Sequence, residues 1–185
     1  ALDPEHRTGP RQIRPAPRQV ASRRVRRTLA RAIVGQQVSR AAASAIWQKM
    51  EARGVTGIDA VAGAGIEEMM MAGLSRRKAE YLIGIADEIV SGRLDIDSLA
   101  DMPGEDVQKR LVAIRGVGAW TADNFRLFAL ADMDAWPVKD VALQEAMRIL
   151  KSLDARPTAE EMEILGEAWR PWRGAGALVL WHLYA

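Results

Sequence analysis

The sequence predicts an all-α fold. Apolar residues recur at three- and four-residue steps along most of the chain, the period of a single helical face. Glycine, proline and small polar residues interrupt that pattern at short intervals. No stretch alternates apolar and polar residues as a half-buried strand would, and no internal repeat is evident. The expected product is a set of about eight short helices joined by brief loops.

In chain order, the first twenty residues contain Pro4, Pro10, Pro15 and Pro17 with no apolar period. They read as a basic irregular arm spanning 1–21. Ser22 is suited to cap a first helix carrying Val25, Leu29, Ile33 and Val34 on one side. Ser39 can cap a second, through Ala45, Ile46, Trp47 and Met50. Gly54, Gly57 and Asp59 mark a turn and a new start. A longer helix follows from Ser75 through Ala79, Leu82, Ile83, Ala86 and Ile89, and Gly92 ends it. Shorter helical patterns occupy 105–113, 119–130, 141–150, 159–169 and 175–184.

Composition excludes several function classes. The chain of 185 residues, 49% hydrophobic, suits one compact domain or two small lobes. No apolar run reaches the roughly 20 residues needed to cross a bilayer, so no membrane partner is expected. The Arg- and Pro-rich start is unlike a secretory signal. Without cysteine there is no disulfide, thiolate zinc site or iron–sulfur cluster. His6 and His182 lie too far apart in sequence to suggest a dedicated metal site. The expectation is a reduced cytoplasmic protein, nuclear if its source is eukaryotic, with no bound metal. Charge is uneven although the net value is only +2. Residues 1–31 hold nine arginines against Asp3 and Glu5, and the rest of the chain is net acidic. That asymmetry suggests a polyanion near the N-terminus, although charge alone favours a plain solvated basic face.

The most informative stretch runs Leu111-Val112-Ala113-Ile114-Arg115-Gly116-Val117-Gly118-Ala119-Trp120-Thr121-Ala122. Two glycines, one residue apart, separate two helical patterns. Glycine admits a close approach to the main chain, and the amides that open the next helix favour an anion. Ile114 and Val117 are suited to anchor the hairpin in a core. Such a turn can grip a phosphate backbone without reading sequence. An ordinary tight helix–helix turn accounts for G-x-G equally well.

Four further blocks accompany the hairpin: Ile33-Val34-Gly35-Gln36-Gln37-Val38-Ser39, Gly73-Leu74-Ser75-Arg76-Arg77-Lys78-Ala79, Trp136-Pro137-Val138-Lys139-Asp140 and Trp169-Arg170-Pro171-Trp172-Arg173. In order and spacing the five resemble the helix-hairpin-helix DNA glycosylase superfamily, and within it the AlkA-type 3-methyladenine DNA glycosylases. The similarity covers roughly residues 22–185 and omits the sheet domain that larger members carry first. It implies a two-lobed helical bundle with the active cleft between lobes. One lobe would span about 32–132; the other would combine about 22–31 with 133–185.

The resemblance also implies roles. Asp140, otherwise readable as a plain N-cap, would be the catalytic carboxylate facing a flipped nucleotide. A helix N-terminus favours its charged form, which can stabilise an oxocarbenium-like sugar or assist water. Trp120, Trp181 and Asn124 would line the base pocket. Gln37, Ile114, Gly116, Val117, Gly118, Ala119 and Thr121 would meet DNA, with Gln37 entering the duplex. Trp120 stands where bifunctional relatives carry a lysine nucleophile, which implies base removal without strand cleavage. Asp123, Asp132 and Asp134 read as surface or capping residues, and Trp47, Trp136, Trp169 and Trp172 as core or lobe-interface residues. Lys139 and Arg173 could each contact phosphate; exposure and an internal pair, respectively, fit as well.

The implied activity is excision of alkylated bases: 3-methyladenine, 7-methylguanine, and N1-methyladenine or N3-methylcytosine. Uracil or an oxidised base, or a non-catalytic DNA-binding module, are the alternatives. The small Asn124 and Gly174-Ala175-Gly176 suggest an open pocket, unless neighbouring side chains fill it. The partner would be damaged double-stranded DNA, met by a monomer. No cofactor is expected, and a monovalent cation at the hairpin is left open.

Overall fold

The computed structural model describes residues 18–184. These residues form ten α-helices: α1 (Arg18–Gly35), α2 (Arg40–Ala52), α3 (Ile58–Gly63), α4 (Ile66–Met71), α5 (Arg76–Val90), α6 (Gly104–Val112), α7 (Ala119–Ala129), α8 (Val141–Lys151), α9 (Ala159–Gly166) and α10 (Arg173–Tyr184). Single 3₁₀ turns follow at Ser98–Asp101 and Glu167–Trp169. The described residues include no strand, and none of their helices is long and apolar enough to cross a membrane.

Local chemistry sets most boundaries. Ser39 and Ser75 cap α2 and α5 by accepting from the amides of Ala42 and Lys78. Thr158 and Glu161 form a reciprocal capping box at α9. Gly92, at φ +74°, turns the chain after α5. The start of α1 differs from expectation. It begins at Arg18, so Ser22 lies inside the helix, and residues 18–21 do not belong to an irregular arm. After Pro17 the chain contains no glycine or proline until Gly35, so nothing in its composition stops the helix at Ser22. The rest of the expected arm, 1–17, lies outside the described residues.

Two apolar cores divide the fold. The larger draws on α1 to α7 and the segment around Leu94, Ile96 and Leu99. The smaller joins Leu127, Ala135 and Trp136 to α8, α9 and α10. Residues 22–31 do not join the second lobe: Leu29 and Ala30 are buried in the larger core, with Val25 packed against it. The reason is the continuous stripe of Leu29, Ala30, Ile33 and Val34, which keeps α1 in one piece on α2, α5 and α7. The border between the lobes falls inside α7, since Phe125 belongs to one core and Leu127 to the other.

Helix α7 is buried at every position from Thr121 to Leu127. Its polar side chains therefore need internal partners. Asp123 accepts from Gln108 Nε2 at 2.9 Å and pairs with Arg126 at 3.2 Å. Arg126 reaches on to Asp132 at 2.8 Å. Gly104 abuts this pair so closely that a Cβ there would collide with both side chains. A second set joins Asp134 to Arg173 at 2.7 Å and to Arg170 at 3.0 Å. Asp123, Asp132 and Asp134 are thus members of buried or half-buried ion pairs rather than free surface or simple capping residues. Arg173, 7% exposed, is used inside the fold.

Burial pushes the Asp123 carboxyl up to about 7, against the opposing pull of Arg126. In the unfolded chain it would titrate near about 4. The folded state therefore holds a proton that the unfolded state has released, and this group's contribution to stability declines as pH rises from about 4 to about 7. Thermal melts of Asp123→Asn should show a shallower pH dependence between about pH 5 and pH 8 than the wild type. An unchanged slope would exclude Asp123 as its source.

Candidate active site and nucleic-acid interface

A cleft of about 810 Å³ opens between the lobes. One wall comes from the end of α1 (Gly35, Gln36, Gln37), the start of α5 (Ser75, Arg77, Lys78) and the hairpin (Gly116, Val117, Gly118). The other is Lys139, Asp140, Val141 and Ala142 at the start of α8, with Trp120 and Thr121 of α7 between them.

Asp140 is the N-cap of α8, and its Oδ1 accepts from the Leu143 amide at 2.9 Å. Two indoles also converge on the same carboxylate. Trp120 Nε1 donates to Oδ2 at 2.7 Å and Trp181 Nε1 donates to Oδ1 at 3.0 Å. Capping and a cleft-facing role thus coexist in one side chain. The turn that presents it is held by the Asp140 amide on Pro137 O and by Gln144 Nε2 on Val138 O. Trp181 is braced from outside by Phe128, stacked at 5.8 Å between ring centroids.

Asn124 does not line this cleft. Its amide turns back to Trp120 O at 2.8 Å, and the residue is 9% exposed. Gly174 and Gly176 leave no gap either. A Cβ at Gly174 would meet Leu127 and the Met133 backbone, and one at Gly176 would meet the Trp169 ring. The openness expected from these small residues is therefore corrected: close packing uses the space they leave. Trp47 and Trp136 are buried, and Trp169 packs edge-on to Trp136 at 5.6 Å. Trp172 departs from expectation at 61% exposed, because Trp169 already occupies the interface position.

The hairpin spans 113–118. Ile114 and Val117 pack into the larger core, and the Val117 amide closes the turn on Ile114 O at 3.0 Å. Gly116 has φ +93°, and a Cβ on it would strike the Tyr81 ring. Gly118 differs. Its φ is −92°, open to any residue, and a Cβ would meet nothing within 4 Å. Neither backbone geometry nor internal packing requires glycine there. It lines the cleft at the exposed N-terminus of α7, ahead of Ala119 and without a side-chain cap, and the first amides of a helix have no acceptor within the helix.

Residues 30–171 match the family model of the HhH-GPD superfamily base excision DNA repair proteins. The chain belongs to that superfamily. A DNA-3-methyladenine glycosylase of Bacillus subtilis is 35% identical over 107 residues, 58% of this chain and 35% of that protein. DNA-3-methyladenine glycosylase 1 of Schizosaccharomyces pombe is 30% identical over 158 residues, 83% of this chain and 69% of the yeast protein. The solved structure of the S. pombe 3-methyladenine DNA glycosylase Mag1 in complex with abasic DNA is similar at a TM-score of 0.79 and 28% identity. It covers 85% of this chain and 79% of that one. The chain spans about a third of the length of the Bacillus relative.

On this HhH-GPD scaffold, two cleft residues escaped sequence reasoning. Gln36 donates from Nε2 to Gly116 O at 3.0 Å and to Thr121 Oγ1 at 2.9 Å. Thr121, 2% exposed, thereby has its hydroxyl engaged inside the fold rather than free to meet DNA. Lys78 Nζ donates to Val34 O at 2.9 Å, capping the last turn of α1, and burial lowers its ammonium below the usual lysine range. The Gln-Gln pair and the basic run after Ser75 were visible, but not which member turns inward. Gln37 follows at φ +54°, exposed at the cleft rim. Lys139 is exposed there too.

The two hairpin glycines should respond differently to alanine. Gly116→Ala should cost more than about 1 kcal/mol of stability, through its positive φ and the Tyr81 contact. Gly118→Ala should leave the melting temperature unchanged yet weaken binding to duplexes of every sequence alike. Unchanged affinity in Gly118→Ala would reduce the hairpin to an ordinary turn.

Proposed function

We propose that this protein is a monofunctional DNA glycosylase that hydrolyses the N-glycosidic bond of alkylated bases in double-stranded DNA. The observation that carries the reading is the Asp140 carboxylate, held by two indole N–H groups in the cleft that the hairpin borders. The names of the relatives in Bacillus subtilis and S. pombe support the same substrate class.

The chemistry follows from the substrate. Methylation at N3 or N7 puts positive charge on a purine and makes it a good leaving group. As the bond to the sugar breaks, its electron pair leaves with the base and positive charge grows on the sugar. The Asp140 carboxylate stabilises that charge and accepts a proton from the water that adds to the sugar. Reaching the bond requires the nucleotide to leave the stack, and the Trp120 ring at the cleft offers the cationic base an aromatic face. The reaction is a hydrolysis, and the proposal involves no organic cofactor. One chain supplies the hairpin, cleft and carboxylate, so a monomer suffices.

The decisive assay is release of free base from methylated DNA, run beside duplexes containing uracil or 8-oxoguanine. Release only from the latter would redirect the reading to another lesion. Asp140→Asn retains a competent cap and should bind abasic-site DNA while losing turnover on the order of 10² or more. Near-normal release by the folded variant would remove Asp140 from the mechanism. Borohydride added during wild-type turnover should trap no protein–DNA adduct, because an indole cannot form a Schiff base. A robust adduct, lost in Lys139→Ala, would make the enzyme bifunctional instead.

A further inference from the structure

We propose that Gln36 is a positioning residue that makes the phosphate grip and the duplex probe a single unit. The inference rests on the reading above and adds a residue to it. Gln36 is the first residue past α1, and one amide nitrogen serves two acceptors, one on a hairpin glycine and one just past the hairpin. Gly116 O lies in the turn, and Thr121 Oγ1 lies in the first turn of α7. These contacts span 80 and 85 residues of sequence. The residue next to it is Gln37, whose left-handed backbone at φ +54° is uncommon for a residue with a side chain.

The end of α1 is thus fastened twice. Lys78 holds Val34 O from α5, and Gln36 holds the hairpin from the other side. Between them the backbone has little freedom to swing, and Gln37 is presented at a set distance from Gly118. A duplex gripped by the hairpin amides therefore meets Gln37 at one register. Releasing Gln36 would leave the grip intact but let the probe wander, slowing extrusion of the nucleotide without loss of general DNA affinity. Thr121 accepts the same donor while sitting beside Trp120, which touches Asp140. The amide therefore also ties the probe to the helix that bears the pocket wall.

The test compares wild type, Gln36→Leu, Thr121→Val, Thr121→Ser and the Gln36→Leu/Thr121→Val double variant. Each is measured for melting temperature, affinity for an undamaged duplex, affinity for an abasic-site duplex, and single-turnover release of whichever lesion the wild type excises. Gln36→Leu should release base about tenfold more slowly at saturating enzyme, with undamaged-duplex affinity within about twofold. Thr121→Val should lose part of that rate and Thr121→Ser should keep it. The double variant should be no slower than Gln36→Leu, the non-additivity of a shared contact. A rate unchanged in folded Gln36→Leu, or additive losses in the double variant, would overturn the proposal. Equal losses of undamaged-duplex affinity and rate would overturn it too, by assigning Gln36 to the grip alone. Should Gln36→Leu fail to fold, the Thr121→Val and Thr121→Ser pair decides by the same rate. A wild type that excises no lesion refutes the functional reading, not this one. The ratio of abasic-site to undamaged affinity then decides: it should fall in Gln36→Leu, and a ratio equal to wild type would overturn the role of Gln36.

Discussion

A helical stretch with no solvent-facing side has to settle every polar group it carries inside the protein, and α7 from Thr121 to Leu127 is such a stretch. That constraint organises the molecule. At its start, Thr121 receives Gln36, and Trp120 turns its N–H toward Asp140. Midway, Asp123 and Arg126 recruit Gln108 and Asp132, and Asn124 closes on the backbone of Trp120. Near its end, Phe128 stacks on Trp181, whose indole returns to the same aspartate. Polar side chains of α7 therefore find partners in both lobes, beside apolar contacts such as Leu127 in the smaller core.

Buried charge pairs of this kind are poor sources of net stability, since desolvation offsets much of their attraction. Their value here is positional. Asp132 and Asp134 lie on the segment leading to Asp140, and their arginine partners fasten that segment to α7 and to α10. With Trp136 anchored on Met162 O at 2.8 Å, the loop has few ways to move. The carboxylate at its end inherits that rigidity.

Much of this was legible in the sequence because it depends on local chemistry. Ser39, Ser75 and Gly92 mark helix ends by what their own atoms do to the nearby backbone. The stripes on α1 and α5 follow from a period of 3.6 residues. What escaped depends on neighbours remote in sequence. Gly174 and Gly176 look like missing bulk until Met133 and Trp169 are seen against them. Asp123 looks like a surface carboxylate until the helix around it is buried. Trp169 and Trp172 are three residues apart, and only packing chooses which turns inward. Gln36 and Gln37 are neighbours of one type, separated in role by a backbone that reverses its hand between them.

The cleft is also a matter of timing. Gln36, Gly116, Asp140 and Trp181 come from the beginning, middle and end of the described chain, so no early, locally folded piece contains it. Contacts across such separations close long loops, which costs chain entropy and slows folding. A chain folded only as far as α1 would carry the arginines of that helix without the carboxylate and its two indoles. The pairing of Asp140 with Trp120 and Trp181 belongs to the finished fold alone.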